Sequence, residues 1–155
     1  MPQQLFVEFR TATSKDAQLI RDVVRSAYAK WIPIIGRDPQ PMNADYERAV
    51  REHQIDLMYV DTKMVGLVET MLRDDHLWIE NVAVRPVDQG EGFGQRLLAH
   101  AERKAIAAGR KEVRLLTNAA FEANVALYEK AGYLIVRSEP SMGGTTVYMS
   151  KKLNR

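Results

Sequence analysis

Three glycines fall within five positions in Gln89-Gly90-Glu91-Gly92-Phe93-Gly94-Gln95, directly after the apolar run Val82-Ala83-Val84-Arg85-Pro86 and its short polar link. Leu97, Leu98, Ala101 and Ala105 then recur at helical spacing. A strand, a glycine-rich turn and a helix start together let backbone amides converge on an anion, with the positive end of the helix dipole behind them. A pyrophosphate fits such a turn. Gly94 is followed by Gln95 and Arg96, not by Lys and Ser or Thr, so the phosphate loop of nucleotide triphosphatases is excluded. The dinucleotide fingerprint fails as well, because Gln95 stands at its third glycine position and Glu112 begins a strand instead of ending one.

Two further groups of residues can do chemistry. Asn124 and Tyr128 lie four apart on a predicted helix and share a face. The same spacing with Phe121 and Val125 also suits an ordinary buried stripe. Glu80 sits between Ile79 and Asn81 in an apolar strand, where a carboxylate needs a reason, either catalysis or a structural ion pair. His53, His76 and His100 have no metal-ligand spacing and read as surface or polar-core residues, so no metal is expected. The chain has no cysteine, which excludes disulfides, thiolate zinc sites and an acyl-cysteine intermediate.

The elements that must position these residues follow from hydrophobic period and turn chemistry. Leu5 to Thr11 reads as a strand, and Thr13-Ser14-Lys15-Asp16 caps a helix carrying Leu19, Ile20, Val23, Val24 and Ala27 to about Trp31. Pro33, Gly36, Pro39 and Pro41 make Trp31 to Met42 a loop, and Asn43 is the expected cap of a second short helix. Ile55 to Val60, Met64 to Leu72 and His76 to Val84 form an antiparallel meander buried on both faces. A helix over Gly92 to Ala108 and its stop at Gly109 imply a parallel crossover to Glu112–Leu116. Asn118 is expected to cap a helix through Ala131, with strands at Tyr133 to Arg137 and Thr145 to Lys151 completing the sheet.

The 155 residues, 46% hydrophobic and 27% charged, suit one folded domain over 1–155. A net charge of +2 is too small to point to nucleic acid. No apolar run approaches the ~18 residues of a membrane span, and Met1 to Arg10 lacks the pattern of a secretion signal. The expected compartment is the cytoplasm, without a nucleic-acid or membrane partner.

Ala83-Val84-Arg85-Pro86, the pattern Gln89-x-x-Gly92-x-Gly94, and Asn124-Val125-Ala126-Leu127-Tyr128 ahead of Gly132-Tyr133 together resemble the GNAT superfamily of acetyl-CoA-dependent N-acetyltransferases. The element order agrees, so the likeness runs from Val7 to Leu153. It implies a mixed α/β fold of α+β character: a mostly antiparallel sheet of about seven strands, a parallel pair around the acetyl-CoA site, and helices on both faces. It also implies that backbone groups at Val82, Ala83 and Val84 meet the pantetheine arm and acetyl carbonyl. Gln89, Gly90, Glu91, Gly92, Phe93, Gly94 and Gln95 would hold the pyrophosphate, with the Glu91 side chain turned away and Asn124 assisting. By the same resemblance Tyr128 is the acid that protonates the departing thiolate, and Glu80 a general base, often through water.

The acceptor implied is a primary amine on a small molecule or peptide, attacked directly in a ternary complex of a monomer or homodimer. A silent coenzyme-A-binding module of the same fold is the rival reading, opposed by Glu80, Asn124 and Tyr128 together. Tyr28, Trp31, Glu69 and Glu80 are the expected acceptor contacts. The apolar run Trp31-Ile32-Pro33-Ile34-Ile35 is expected to cover that site as a lid. A two-residue Asp74-Asp75 hairpin loop would put Glu69 directly opposite Glu80, two partly buried carboxylates of which one has its pKa raised, whereas a three-residue loop would set Val68 opposite Glu80 and Glu69 diagonal to it.

Overall fold

A computed structural model describing residues 5–154 folds the chain around one seven-stranded mixed sheet, ordered β1-β2-β3-β4-β5-β7-β6. The strands are β1 Val7–Thr11, β2 Gln54–Val60, β3 Lys63–Leu72, β4 Leu77–Val84, β5 Glu112–Asn118, β6 Leu134–Ser141 and β7 Gly144–Lys152. Only β4 and β5 run parallel; every other neighbouring pair is antiparallel.

Helices cover both faces of the first half of the sheet, which is why β3 is buried along most of its length. On one face α1 (Ala17–Tyr28) and α3 (Tyr46–Glu52) pack Ile20, Val24 and Ala49 against Leu57, Leu67 and Ala83. On the other, α4 (Phe93–Ala107) and α5 (Glu122–Lys130) lie over Val68, Ile79 and Leu115. Leu97 and Leu98 are fully buried, each contributing about 2–3 kcal/mol relative to exposure. That burial anchors α4 and so fixes where its N-terminus points. Among the described residues no helix is long and apolar enough to cross a membrane.

Several local expectations change. Residues 31–42 are not an open loop: a 3-10 turn at Ala29–Trp31, the short α2 (Ile32–Ile35) and a 3-10 turn at Gln40–Asn43 fold the segment onto the core, burying Trp31 and Met42. Trp31 stacks on Phe121 with ring centres 4.8 Å apart, so its indole is packed into the core. The cap of α3 is Asp45, whose carboxylate accepts from Arg48 N, and not Asn43. Asn118 belongs to β5; its side chain accepts from Ala120 N in a turn, and α5 starts later, at Glu122.

The largest change is in the β3–β4 hairpin. Arg73 N donates to His76 O and Leu72 pairs with Leu77, the register of a two-residue Asp74-Asp75 loop. Thr70 then pairs with Ile79, but Glu69 pairs with Asn81, leaving Glu80 as the extra residue of a β-bulge. The bulge reverses parity: Leu77 and Ile79 before it, and Val82 and Val84 after it, all belong to the α4 side. Glu69 therefore faces Asn81, not Glu80, and the two carboxylates are not both partly buried. Glu69 is 4% exposed, whereas Glu80 lies at the surface of the cleft.

Candidate active site

Strands β4 and β5 pair only from Leu77–Ile79 to Val113–Leu115. The bulge at Glu80 marks where they part, and beyond it the β5-facing edge of β4 is left open. Two cavities flank this split, of about 420 Å³ and 570 Å³, and Tyr28 lines both. Strand β4 also serves both, through Asn81 in the larger and Val82 in the smaller, and α5 does so one turn apart through Tyr128 and Asn124.

The smaller cavity gathers Val82, Ala83, Val84, Gln89, Gly90, Gly92, Phe93, Gly94, Gln95 and Asn124. Glu91 alone of the turn does not line it, and its side chain is exposed. Gly90 and Gly92 have φ of +84° and +85°, in the left-handed region, and a Cβ on either would meet only open space. Backbone conformation, not crowding, requires glycine there. Gly94 differs: a Cβ on it would come within 3.1 Å of Leu127 Cδ2, so its role is close packing of α4 on α5.

Gln89 locks the turn, its Nε2 donating 2.9 Å to Val84 O while its Oε1 accepts from Lys30 Nζ at 2.9 Å. The Val84 carbonyl is thus already engaged. Lys30 and Lys130 bring positive charge to this cavity, and burial lowers the Lys30 pKa. Neither lysine belongs to a readable motif; they meet the turn only through the docking of α1 and α5. The first amides of α4, ahead of the Arg96-to-Gly92 bond, have no acceptor one turn back, so the turn fits an anion.

Tyr28, Glu69, Glu80 and Tyr128 come together around the larger cavity, whereas Trp31 lines the smaller one. Tyr28 Oη donates 2.9 Å to Asn81 Oδ1, Asn81 Nδ2 donates 3.3 Å to Tyr46 Oη, and Tyr46 Oη donates 2.6 Å to Pro41 O. This chain ties α1, the bulge and residues 40–46 into one wall. Trp78 Nε1 donates 2.9 Å to Glu80 Oε1, holding the bulged carboxylate in place. Burial pushes the phenols of Tyr28, Tyr46 and Tyr128 above their ordinary value, so all three remain protonated hydrogen-bond donors.

His53 Nδ1 and Glu69 Oε2 share a 2.6 Å hydrogen bond at the same cavity. Burial raises the Glu69 pKa, the bond and charge of His53 oppose the rise, and the Glu80 charge adds to it. His53, Asn81, Tyr46 and Arg37 are cavity residues that the sequence does not single out. A signal existed only for Asn81, an amide in an apolar strand beside Glu80; the other three arrive from the segment between α1 and β2, Tyr46 at the start of α3 and His53 at its end.

The acetyltransferase (GNAT) family model matches residues 20–133, which spans the split, the glycine turn and Asn124 to Tyr133. The chain belongs to the GNAT acetyltransferase family. Solved GNAT structures share its fold. A PaiA N-acetyltransferase from Thermoplasma acidophilum, in complex with coenzyme A, superposes with a TM-score of 0.77 at 17% identity, over 95% of this chain and 99% of that one. The ribosomal-protein-S18-alanine N-acetyltransferase of Escherichia coli gives a TM-score of 0.73 at 19% identity, over 97% and 96%. YncA from Salmonella typhimurium, a putative acetyltransferase with its cofactor acetyl-CoA, gives 0.72 at 19%, over 97% and 95%. A comparison with curated proteins finds none that matches.

Proposed function

We propose that this GNAT chain is an acetyl-CoA-dependent N-acetyltransferase acting on a primary amine of a small molecule or peptide by direct attack in a ternary complex. The observation that carries the reading is the split of β4 from β5, with an anion-binding turn on one side, a polar cavity on the other, and Tyr28 common to both. Bound acetyl-CoA supplies the activated thioester carbonyl and a thiolate leaving group.

The chain's own groups then have these tasks. The amides from Gln89 to Gln95, the dipole of α4, Lys30 and Lys130 hold the pyrophosphate, and the free edge of β4, at Val82 and at the Val84 amide, orients the pantetheine arm. Asn124 supports that arm from α5. An alkyl ammonium has a pKa of about 10, so it must lose a proton before it can attack. Glu80 takes that proton, directly or through water, from its anchored place beside Trp78 Nε1. Glu69, held by His53, adds negative field that draws a cation into the cavity. Tyr128, kept protonated by burial, offers its Oη proton to the leaving sulfur. No step calls for a metal.

Thiol release from acetyl-CoA across a panel of amines and N-terminal peptides tests the reading, beside calorimetry with coenzyme A. Tyr128→Phe should lower kcat by about 10²-fold or more with the affinity for coenzyme A unchanged. Unchanged turnover in this variant would leave Tyr128 a packing residue, and no coenzyme A binding by the wild type would remove the reading altogether.

A further inference from the structure

Among the described residues, Tyr28 alone lines both cavities. Every other wall residue belongs to one side: Asn81 and Tyr128 to the larger cavity, Val82 and Asn124 to the smaller. The neck between the two therefore lies where Tyr28 of α1, Asn81-Val82 of β4 and the Asn124-to-Tyr128 turn of α5 converge.

The Tyr28 ring is fastened at this neck. Tyr28 is 8% exposed, its Oη donates 2.9 Å to Asn81 Oδ1, and its ring meets Phe121 edge-on with centres 6.5 Å apart. Asn81 is itself buried and donates to Tyr46 Oη, so the acceptor that holds Tyr28 does not yield easily. Swinging the ring aside would break a buried hydrogen bond and empty a packed site, both unfavourable.

The smaller cavity also has a direction. Gly90 and Gly92 stand at one end and Tyr28 at the other, with Val84 and then Val82 of β4 between them. With the pyrophosphate at the glycine turn, the pantetheine arm runs back along β4 and brings the thioester to the neck. The amine attacks from the larger cavity, so the acyl carbon has to stand in the neck itself. An acetyl group adds only a methyl there. Each further methylene presses on the ring that Asn81 and Phe121 hold in place, and overfilling a fixed site is destabilising.

We infer that Tyr28 sets the length of the acyl group, admitting acetyl and discriminating against longer chains. The inference rests on the acetyltransferase reading above and adds a donor selectivity to it. Tyr28 acts through the bulk of its ring and takes no part in proton transfer.

The test compares thiol release from acetyl-, propionyl-, butyryl- and hexanoyl-CoA at one saturating amine. In the wild type, donor kcat/KM should fall by about ten- to a hundredfold between acetyl- and butyryl-CoA, the usual cost of overpacking. Tyr28→Leu should bring butyryl-CoA within a few-fold of acetyl-CoA. Tyr28→Phe loses the same bond to Asn81 but keeps the ring, and should retain a clearly larger preference for acetyl-CoA than Tyr28→Leu does. Ratios between donors within one variant cancel any loss that all donors share; if Tyr28→Leu fails to bind coenzyme A, Tyr28→Met takes its place. The inference falls if the wild type uses all four donors equally, if Tyr28→Leu keeps the wild-type ratio, or if Tyr28→Phe relaxes it as far. Should no amine release thiol although coenzyme A binds, the acetyltransferase reading fails. Calorimetry with the four thioesters then decides this inference separately: acetyl-CoA bound about tenfold or more tightly than butyryl-CoA by the wild type, and equally by Tyr28→Leu, supports it, and any other pattern overturns it.

Discussion

Two buried carboxylates on adjacent strands, each bonded to a histidine, have opposite fates. Asp56 on β2 is 3% exposed and bonds His100 Nε2 at 2.8 Å; Glu69 on β3 is 4% exposed and bonds His53 Nδ1 at 2.6 Å. Burial pushes both pKa values up. For Asp56 the hydrogen bonds of His100 and Gln54 and the charge of Lys104 outweigh it and bring the carboxyl below its ordinary range. Gln54 Nε2 lies 2.7 Å away and Lys104 Nζ 3.3 Å, and Phe9 stacks on His100 at 3.9 Å, so this cluster is closed. Glu69 has fewer donors and faces the charge of Glu80, so its pKa stays raised. Partner count, more than burial, separates a carboxylate that joins α4 to the sheet from one left responsive at a cavity.

The largest effect should come from removing the charge that distinguishes the cavity. Glu80→Gln is expected to lower kcat/KM at neutral pH by about 10²- to 10⁴-fold. Asp56→Asn, by contrast, should leave turnover per folded molecule unaltered. A Glu80→Gln enzyme with full activity would place the base elsewhere.

Stability should show the reverse order. Asp56→Asn strands His100 and Lys104 and should cost about 3 kcal/mol in denaturant titration. Glu69→Gln should cost much less, since its charge is already opposed by burial and by Glu80. Equal losses would mean that the two pairs do the same structural task.

Titration of stability against pH sharpens the contrast, because the signs differ. The Asp56 pKa is depressed in the folded state, so its contribution is present above the unfolded value and is lost as pH falls through the folded one. The Glu69 pKa is raised, so the unfolded chain releases its proton first, and stability falls as pH climbs from about 4.3 toward the folded value. Glu69→Gln should remove that decline, and Asp56→Asn should lessen the loss on the acid side, to which Glu112 also contributes. Curves unchanged in shape would mean that neither shift exists.

The smallest expected effects concern the histidines. His100→Gln should lower stability by about 1 kcal/mol with no kinetic change. His53→Gln should leave stability nearly unaltered while raising the acceptor KM a few-fold and moving the pH profile of kcat/KM. A kinetic effect of His100→Gln larger than that of His53→Gln would contradict the division of roles.

Periodicity and local chemistry carry most of the architecture. The alternating runs of β2, β3 and β4, the stripe Leu97-Leu98-Ala101-Ala105, and the stops at Gly109 and Gly132, with φ of +76° and +101°, are properties of neighbours in the chain. The glycine turn was legible for the same reason: its left-handed backbone at Gly90 and Gly92 is something residue type reports directly.

Registers and long-range partners are another matter. The Asp74-Asp75 loop implied Glu69 opposite Glu80, and one bulged residue cancelled it, because a bulge is decided by how two strands pack on different layers and leaves no period of its own. His53 and Arg37 lie sixteen positions apart in the segment between α1 and β2, and nothing in the sequence around either records the cavity that both line. Sequence alone determined the strand and helix order, the glycine-rich turn and the family pattern, all set by interactions within a few residues. Only the tertiary structure decided which carboxylate is buried and which stands free, since burial and charge pairing arise between segments far apart in the chain.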